Sequence, residues 1–263
     1  MADGSQSAPL SLKSHVSPEE WATRVELAAL YRLVALFGWD DLIYTHISAR
    51  VPGPEAHFLI NPYGLFFDEI TASSLIKVDL DGNIIPGASQ SQPEYGINYA
   101  GYVIHSAIHG ARGDAHFVIH LHSPDGIAVA SHKEGLLPLN QHSLIVIPRL
   151  AYHDYEGIAL NLDERERLIA DLGEKSLMLL RNHGTLALGP TAAAAFQGIY
   201  LLEKSATIQV KTLSAGRNGI LLAPDEAREE VRRQTGNPSP EQAALPWPGL
   251  LRKLARHSPG YEV

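Results

Sequence analysis

At 263 residues, with 45% hydrophobic and 19% charged residues, the chain has the length and composition of one globular domain with a substantial core. Its 21 basic and 29 acidic residues leave a formal charge of −8, which argues against a non-specific nucleic-acid binder, since such proteins present Lys/Arg patches to phosphate. The absence of cysteine excludes disulfides, thiolate nucleophiles and Cys-ligated zinc, and no apolar run approaches the ~18 residues of a membrane span. Met1 to His15 is polar and lacks the apolar stretch of a signal peptide, so a cytoplasmic chain is expected.

Met1 to Val16 is rich in Ser, Ala and Gly and is expected to be disordered. Ser17-Pro18-Glu19-Glu20 reads as a helix start, with Ser17 as N-cap, Pro18 in the first turn and Glu20 closing a capping box. Leu27, Leu30, Tyr31 and Val34 then share one helical face, and Gly38 ends the helix. Strands are predicted over Asp40 to Arg50, Phe58 to Ile60 and Leu75 to Leu80, with Asp81-Gly82 as a hairpin turn into Asn83-Ile84-Ile85. Gly87 to Gly96 is an aperiodic loop, followed by a predicted helix from Ile97 to Gly110.

Beyond the strand at Phe117-Val118-Ile119, Leu144 to Ile147 is predicted as another strand and Asp163 to Leu172 as a charged surface helix. Ser176 to Leu180 and Thr185 to Gly189 read as strands, and Thr191 opens a long helix that reaches about Leu213. The stretch from Asn218 carries a charged helix around Pro224 to Arg233. Leu250, Leu251 and Leu254 follow at a spacing that packs on the body or on a neighbouring subunit. The chain thus divides into a disordered segment over 1–16, a main domain over 17–217 and a helical tail over 218–263. Its fold class is α/β, a three-layer α/β/α sandwich with a mostly antiparallel central sheet.

The most informative stretch is Phe117 to Gly126. A short β-branched run ends in His120-Leu121-His122, and strand residues i and i+2 share a face, so the two imidazoles stand side by side. Ser123-Pro124-Asp125-Gly126 then turns the chain into a helix. Two imidazoles at such a turn make half a metal site, or they are histidines satisfied within a core or turn. A third, His183, falls in the turn Arg181-Asn182-His183-Gly184, where small residues are the usual choice. Three histidines with an open position suit a catalytic divalent ion; the plainer alternative is a histidine-rich surface on a chain with 13 His.

His-x-His after a strand followed by Leu-Arg-Asn-His-Gly resembles the class II aldolase/adducin family, and supporting segments run from about Ser17 to Gly216. Among them Asn61-Pro62-Tyr63-Gly64-Leu65, Glu69 to Leu75 and Ala151 to Gly157 are similar to the adducin-like bacterial branch, the aldolase class 2 proteins. The resemblance implies the sandwich fold and a divalent metal on His120, His122 and His183, with zinc the first choice and iron the alternative. It further implies a small-molecule substrate and a homotetramer with active sites between subunits, while charge and apolar-run length give no nucleic-acid and no membrane partner to expect.

Against the aldolase pattern, the Glu that serves as acid/base ahead of the paired histidines aligns with Gly101. Glu94 is the nearest upstream carboxylate and a candidate catalytic residue, or else a solvated loop charge. The phosphate-binding Asn, Thr and Ser pair align with His46, Tyr63, Tyr99 and Ala100, so a non-phosphorylated substrate is expected. His46 is the second catalytic candidate, or one polar position on an alternating strand. His105 and His109, at i and i+4, have a spacing that can bind metal, but with no third ligand evident they read as packing or hydrogen-bond support; His153-Asp154 reads as a turn pair. Arg181 suits either a substrate carboxylate or a surface ion pair. Three functions fit: an aldolase-like metal lyase on a carbonyl or hydroxy-acid compound, a non-haem iron oxygenase on the same fold, and a non-catalytic adducin-like binding protein.

Overall fold

A computed structural model describes residues 12–87, 95–158, 161–235 and 240–263. Helix α1 (Pro18–Phe37) starts as the sequence dictates, with Ser17 extended and its Oγ accepting from the Glu20 N–H at 3.1 Å. Glu20 does not close a capping box. Its carboxylate is taken by the fully buried Arg24, at 3.0 Å to Nε, and by Lys77 at 2.8 Å, because a buried guanidinium needs its counter-charge more than a helix end needs a second cap. Gly38 ends the helix in the left-handed conformation, φ 68°.

The sheet has seven strands: β1 (His46–Arg50), β2 (His57–Ile60), β3 (Ile76–Asp79), β4 (Phe117–Leu121), β5 (Leu150–His153), β6 (Leu177–Leu180) and β7 (Gly184–Gly189). Their order is β3-β2-β1-β4-β7-β6-β5, and every pair is antiparallel except β5 with β6. Alternation along the strands divides the core. Phe117, Ile119 and Leu121 face α1 and the long α6 (Ala192–Leu213), whereas Val118 faces α2 (Tyr99–Ala111) and α5 (Glu164–Leu172). The expected α/β/α sandwich is what forms. Shorter helices α3 (Pro124–Ala130), α4 (Gln141–Val146), α7 (Asp225–Thr235) and α8 (Pro240–Ala244) precede a final α9 (Trp247–His257).

Four local expectations give way. Pairing in the first strand starts only at His46; the chain before it is a loop in which Leu42 takes φ 49°. Leu144 to Ile147 is helical, because Asn140 and Ser143 cap one another at 3.1 Å in both directions and turn an ambiguous apolar run into α4. The hairpin after Asp81 reduces to one bridge, Val78 with Ile84, since the Asp79 carboxylate takes the N–H groups of Asp81 and Asn83 at 2.9 and 2.8 Å. Leu12 to Ser14, expected to be disordered, form a 3₁₀ turn with Leu12 buried; the rest of that expectation, over residues 1–11, lies outside the described residues.

The tail packs on the body of its own chain. Leu254 is fully buried in the cluster shared by α1 and α6, with Trp247, Leu250 and Leu251 against it. Among the described residues no helix is long and apolar enough to cross a membrane.

Candidate metal centre

Two pieces of the sheet bring three imidazoles together. His120 is the penultimate residue of β4, and His122 lies one residue past its end, where Ser123 caps α3 by accepting the Gly126 N–H at 3.0 Å. The β6–β7 turn carries His183. β7 pairs with β4 with Thr185 opposite Leu121, so this turn lands beside the paired histidines. Asn182 takes φ 56°, a conformation Asn tolerates better than most residues. Gly184 is required by space, since a Cβ there would lie 2.3 Å from the Leu121 carbonyl oxygen.

The Nε2 atom of His120 is 3.0 Å from that of His122 and 3.3 Å from that of His183, and the ligand nitrogens of all three lie within 4.8 Å of one another. Hydrogen bonds on the far side of two rings fix their tautomers. His120 Nδ1–H donates to the Thr185 carbonyl at 3.0 Å, and His122 Nδ1–H donates to Asp41 Oδ2 at 3.2 Å. Both Nε2 atoms therefore carry lone pairs, and no proton lies between them. Lone pairs facing at 3.0 Å repel unless a cation sits among them, so the donor set fits a divalent ion.

Electrostatics favour the neutral ligand form. Burial and the neighbouring histidines hold His120 well below the usual imidazole range, and burial with His122 and His153 holds His183 at about 4. Burial lowers His122 as well, although Asp41 pulls the other way. These rings are neutral at neutral pH, as metal ligation demands.

A second group of histidines lies between the sheet and α2. His109 Nδ1 is 2.9 Å from the Ala115 carbonyl, which only accepts, so this nitrogen carries the proton. His109 Nε2 then accepts from Ser48 Oγ at 2.7 Å, Ser48 Oγ accepts from His105 Nδ1, and His105 Nε2 accepts from His46 Nδ1 at 2.8 Å. One carbonyl sets every tautomer in the line and leaves His46 Nε2 as an acceptor. The His46 ring lies with its centroid 5.0 Å from that of His120. It occupies the room left by Gly101: a Cβ there would come within 2.6 Å of His46 Cδ2 and 3.0 Å of Nε2. An imidazole from β1 thus fills the space that a side chain at position 101 would take.

Glu94 lies outside the described residues. His105 and His109 are buried hydrogen-bonding groups, as expected for a pair with no third ligand in view. His153 is partnered by Asp171 at 2.7 Å rather than by its neighbour Asp154. Asp41 and Ser48 escaped the sequence reading, as did Glu203. Buried on α6, Glu203 accepts from Thr185 Oγ1 at 2.5 Å and from Ser123 Oγ, and so ties together the chain segments on either side of the triad. Its signal was available: Ile199, Glu203 and Ala206 share a buried helical face, and a carboxylate there needs partners.

Residues 25–210 match the family described as Class II Aldolase and Adducin N-terminal domain. The chain is 64% identical over 261 residues to a Caulobacter vibrioides protein named for aldolase class 2, covering 99% of each. The crystal structure of an aldolase II superfamily protein from Pseudomonas syringae superposes with a TM-score of 0.90 at 54% identity, covering 96% of this chain and 100% of that one. Alpha-adducin of Rattus norvegicus is 44% identical over 227 residues, which is 85% of this chain but 30% of the adducin. With the family matched over most of its length on a seven-stranded sandwich, the chain belongs to the class II aldolase and adducin family.

Proposed function

We propose that the chain is a divalent-metal-dependent, aldolase-like lyase acting on a non-phosphorylated carbonyl or hydroxy-acid compound. The observation that carries this reading is the cluster of three Nε2 atoms, two of them on rings whose hydrogen bonds leave Nε2 with its lone pair. A divalent ion held by His120, His122 and His183, zinc first and iron second, would polarise a substrate oxygen and offset the negative charge that develops there. The protein's own part is to hold the rings still, through the Thr185 carbonyl and the Asp41 carboxylate. His46 offers Nε2 as a hydrogen-bond acceptor for a substrate hydroxyl, and Glu94 remains the candidate carboxylate. The chemistry belongs to residues 17–217, with 218–263 as a tail, in a cytoplasmic homotetramer.

Elemental analysis of protein purified anaerobically without chelator tests the reading. Near-stoichiometric zinc in the wild type, lost in His183→Ala along with turnover of carbonyl substrates, is the expected result. Full metal retention in that variant would remove His183 from the ligand set. Iron in place of zinc would favour the oxygenase. The likeness to alpha-adducin supports a second reading, a binding module without catalysis. That reading requires wild-type protein to be purified metal-free and to stay metal-free on dialysis against zinc.

A further inference from the structure

Next to the triad lies an open basin of about 570 Å³, lined by His132, Lys133, Asp154, Tyr155, Arg181 and Asn182 among others. Asn182 adjoins His183 in the chain, and the Tyr155 ring faces the His183 ring with centroids 6.4 Å apart. Arg181 is fixed in this wall. Its guanidinium stacks over Tyr152 at 4.3 Å and donates to the His132 carbonyl at 3.0 Å. Tyr152 is held in turn. Its hydroxyl accepts the Leu136 N–H at 3.1 Å, and its ring fills the space where a Cβ on Gly135 would come within 2.5 Å.

No carboxylate pairs with this half-buried guanidinium among the described residues, so a surface ion pair does not account for it. His132 Nδ1, in the same wall, is buried without a hydrogen-bond partner. The guanidinium is thus held in place with donors left over for an anion in the basin. A guanidinium fork matches the two oxygens of a carboxylate. Lys133 adds a positive charge and Asp154 a negative one, so the lining suits one negative charge better than two. Arg181 and His183 are two residues apart, at most about 7 Å between Cα atoms, so one small molecule spans both.

We propose that Arg181 anchors the carboxylate of a small hydroxy- or keto-acid whose neighbouring oxygen is directed to the histidine triad. The proposal rests on the reading of that triad as a metal centre and adds the substrate's second point of attachment.

Calorimetric titration of zinc-loaded protein with pyruvate and with glycolate tests it, with hydroxyacetone as the uncharged control and inorganic phosphate as the competing anion. Saturable binding of either acid is expected, weakened about 10- to 100-fold in Arg181→Gln, the range of a charge-assisted hydrogen bond. Arg181→Lys, which keeps the charge without the fork, should fall between. Hydroxyacetone should not distinguish the variants, and zinc stoichiometry should be the same in all three proteins. Equal acid binding in Arg181→Gln, or no acid binding to protein that holds its zinc, would overturn the anchor and leave the metal centre standing. Phosphate binding tighter than either acid and lost with Arg181 would overturn the carboxylate assignment. Failure of the wild type to take up zinc would remove the metal reading and this proposal together.

Discussion

His122 reaches the triad from just past the end of its strand, and its Nδ1–H donates at 3.2 Å to Asp41, on a loop that includes the left-handed Leu42. Removing that acceptor frees the ring to rotate and lets the proton move to Nε2. Asp41→Ala is expected to weaken zinc binding about 10- to 100-fold with little loss of stability, since Asp41 is a solvent-accessible loop residue. Competition with a fluorescent chelator measures it, and unchanged affinity would show that His122 needs no such support. Ser48 works differently. It is fully buried and relays a hydrogen bond between two imidazoles, so Ser48→Ala leaves His105 Nδ1–H and His109 Nε2 unpaired at once. A loss of about 1–3 kcal/mol in urea unfolding is expected, the cost of buried unsatisfied groups. The triad was legible in the sequence because each ligand sits in a local motif, a strand end or a tight turn. Asp41 and Ser48 were not, because each meets its partner across the fold; the buried position of Glu203 was legible, but its partners Ser123 and Thr185 were not. Nothing local in the sequence announced that His46, from a strand far away in the chain, fills the space beside Gly101.

The layer between the sheet and α2 has consequences at the scale of elements. His46, His105 and His109 are all buried neutral there; burial, with Arg50 nearby, lowers His109 to about 3. In the unfolded chain a histidine takes up its proton near 6.5, whereas the folded protein refuses it until far lower pH. The unfolded state therefore binds more protons in between, and the stability His109 contributes is complete above 6.5 and lost as pH falls toward 3. The slope is up to about 1.4 kcal/mol per pH unit for each such group. Metal-free protein should thus show urea midpoints that fall steeply from pH 7 to pH 5, and His109→Asn should flatten the fall. Glu203 acts in the opposite sense: burial raises it, so its contribution is complete below the ordinary Glu range and is lost as pH rises through the raised value. A flat profile between pH 7 and 5 would mean that the histidine layer admits water. The order of elements was mostly legible, since α1, α5, α6 and five of the strands fall where period and caps put them. Leu144 to Ile147 was not. Four apolar residues fit either a strand or a helix, and the capping pair Asn140 and Ser143, outside the run, decided it.

In the whole molecule the tail closes on the body. α9 lays Leu254 into the core beside α1, and Lys253 covers the Phe37 ring at 4.6 Å. Beyond it the chain returns to the start of the sheet: the carbonyls of Tyr261 and Val263 accept the N–H groups of Ala72 and Ser73 at 2.8 and 2.9 Å, and Ser258 Oγ accepts from Arg32 at 3.2 Å. The spacing of the leucines announced a packing face but not its partner, because amphipathic spacing is the same for an internal and an external surface. The two cases separate by experiment. If the face belongs to the monomer's core, Leu254→Ala removes buried methyl groups and leaves a cavity, costing about 2–5 kcal/mol at any protein concentration. At about 2–4 °C per kcal/mol for a chain of this size, Tm should fall by roughly 5–15 °C. A Tm loss that disappears at high protein concentration would instead assign the face to a subunit contact. Deleting residues 258–263 should lower Tm in the same way, since it leaves the backbone N–H groups of Ala72 and Ser73 without these partners. Zinc stoichiometry should survive both changes, because the triad hangs on β4 and the β6–β7 turn, and those are held by sheet pairing and by Glu203 rather than by the tail.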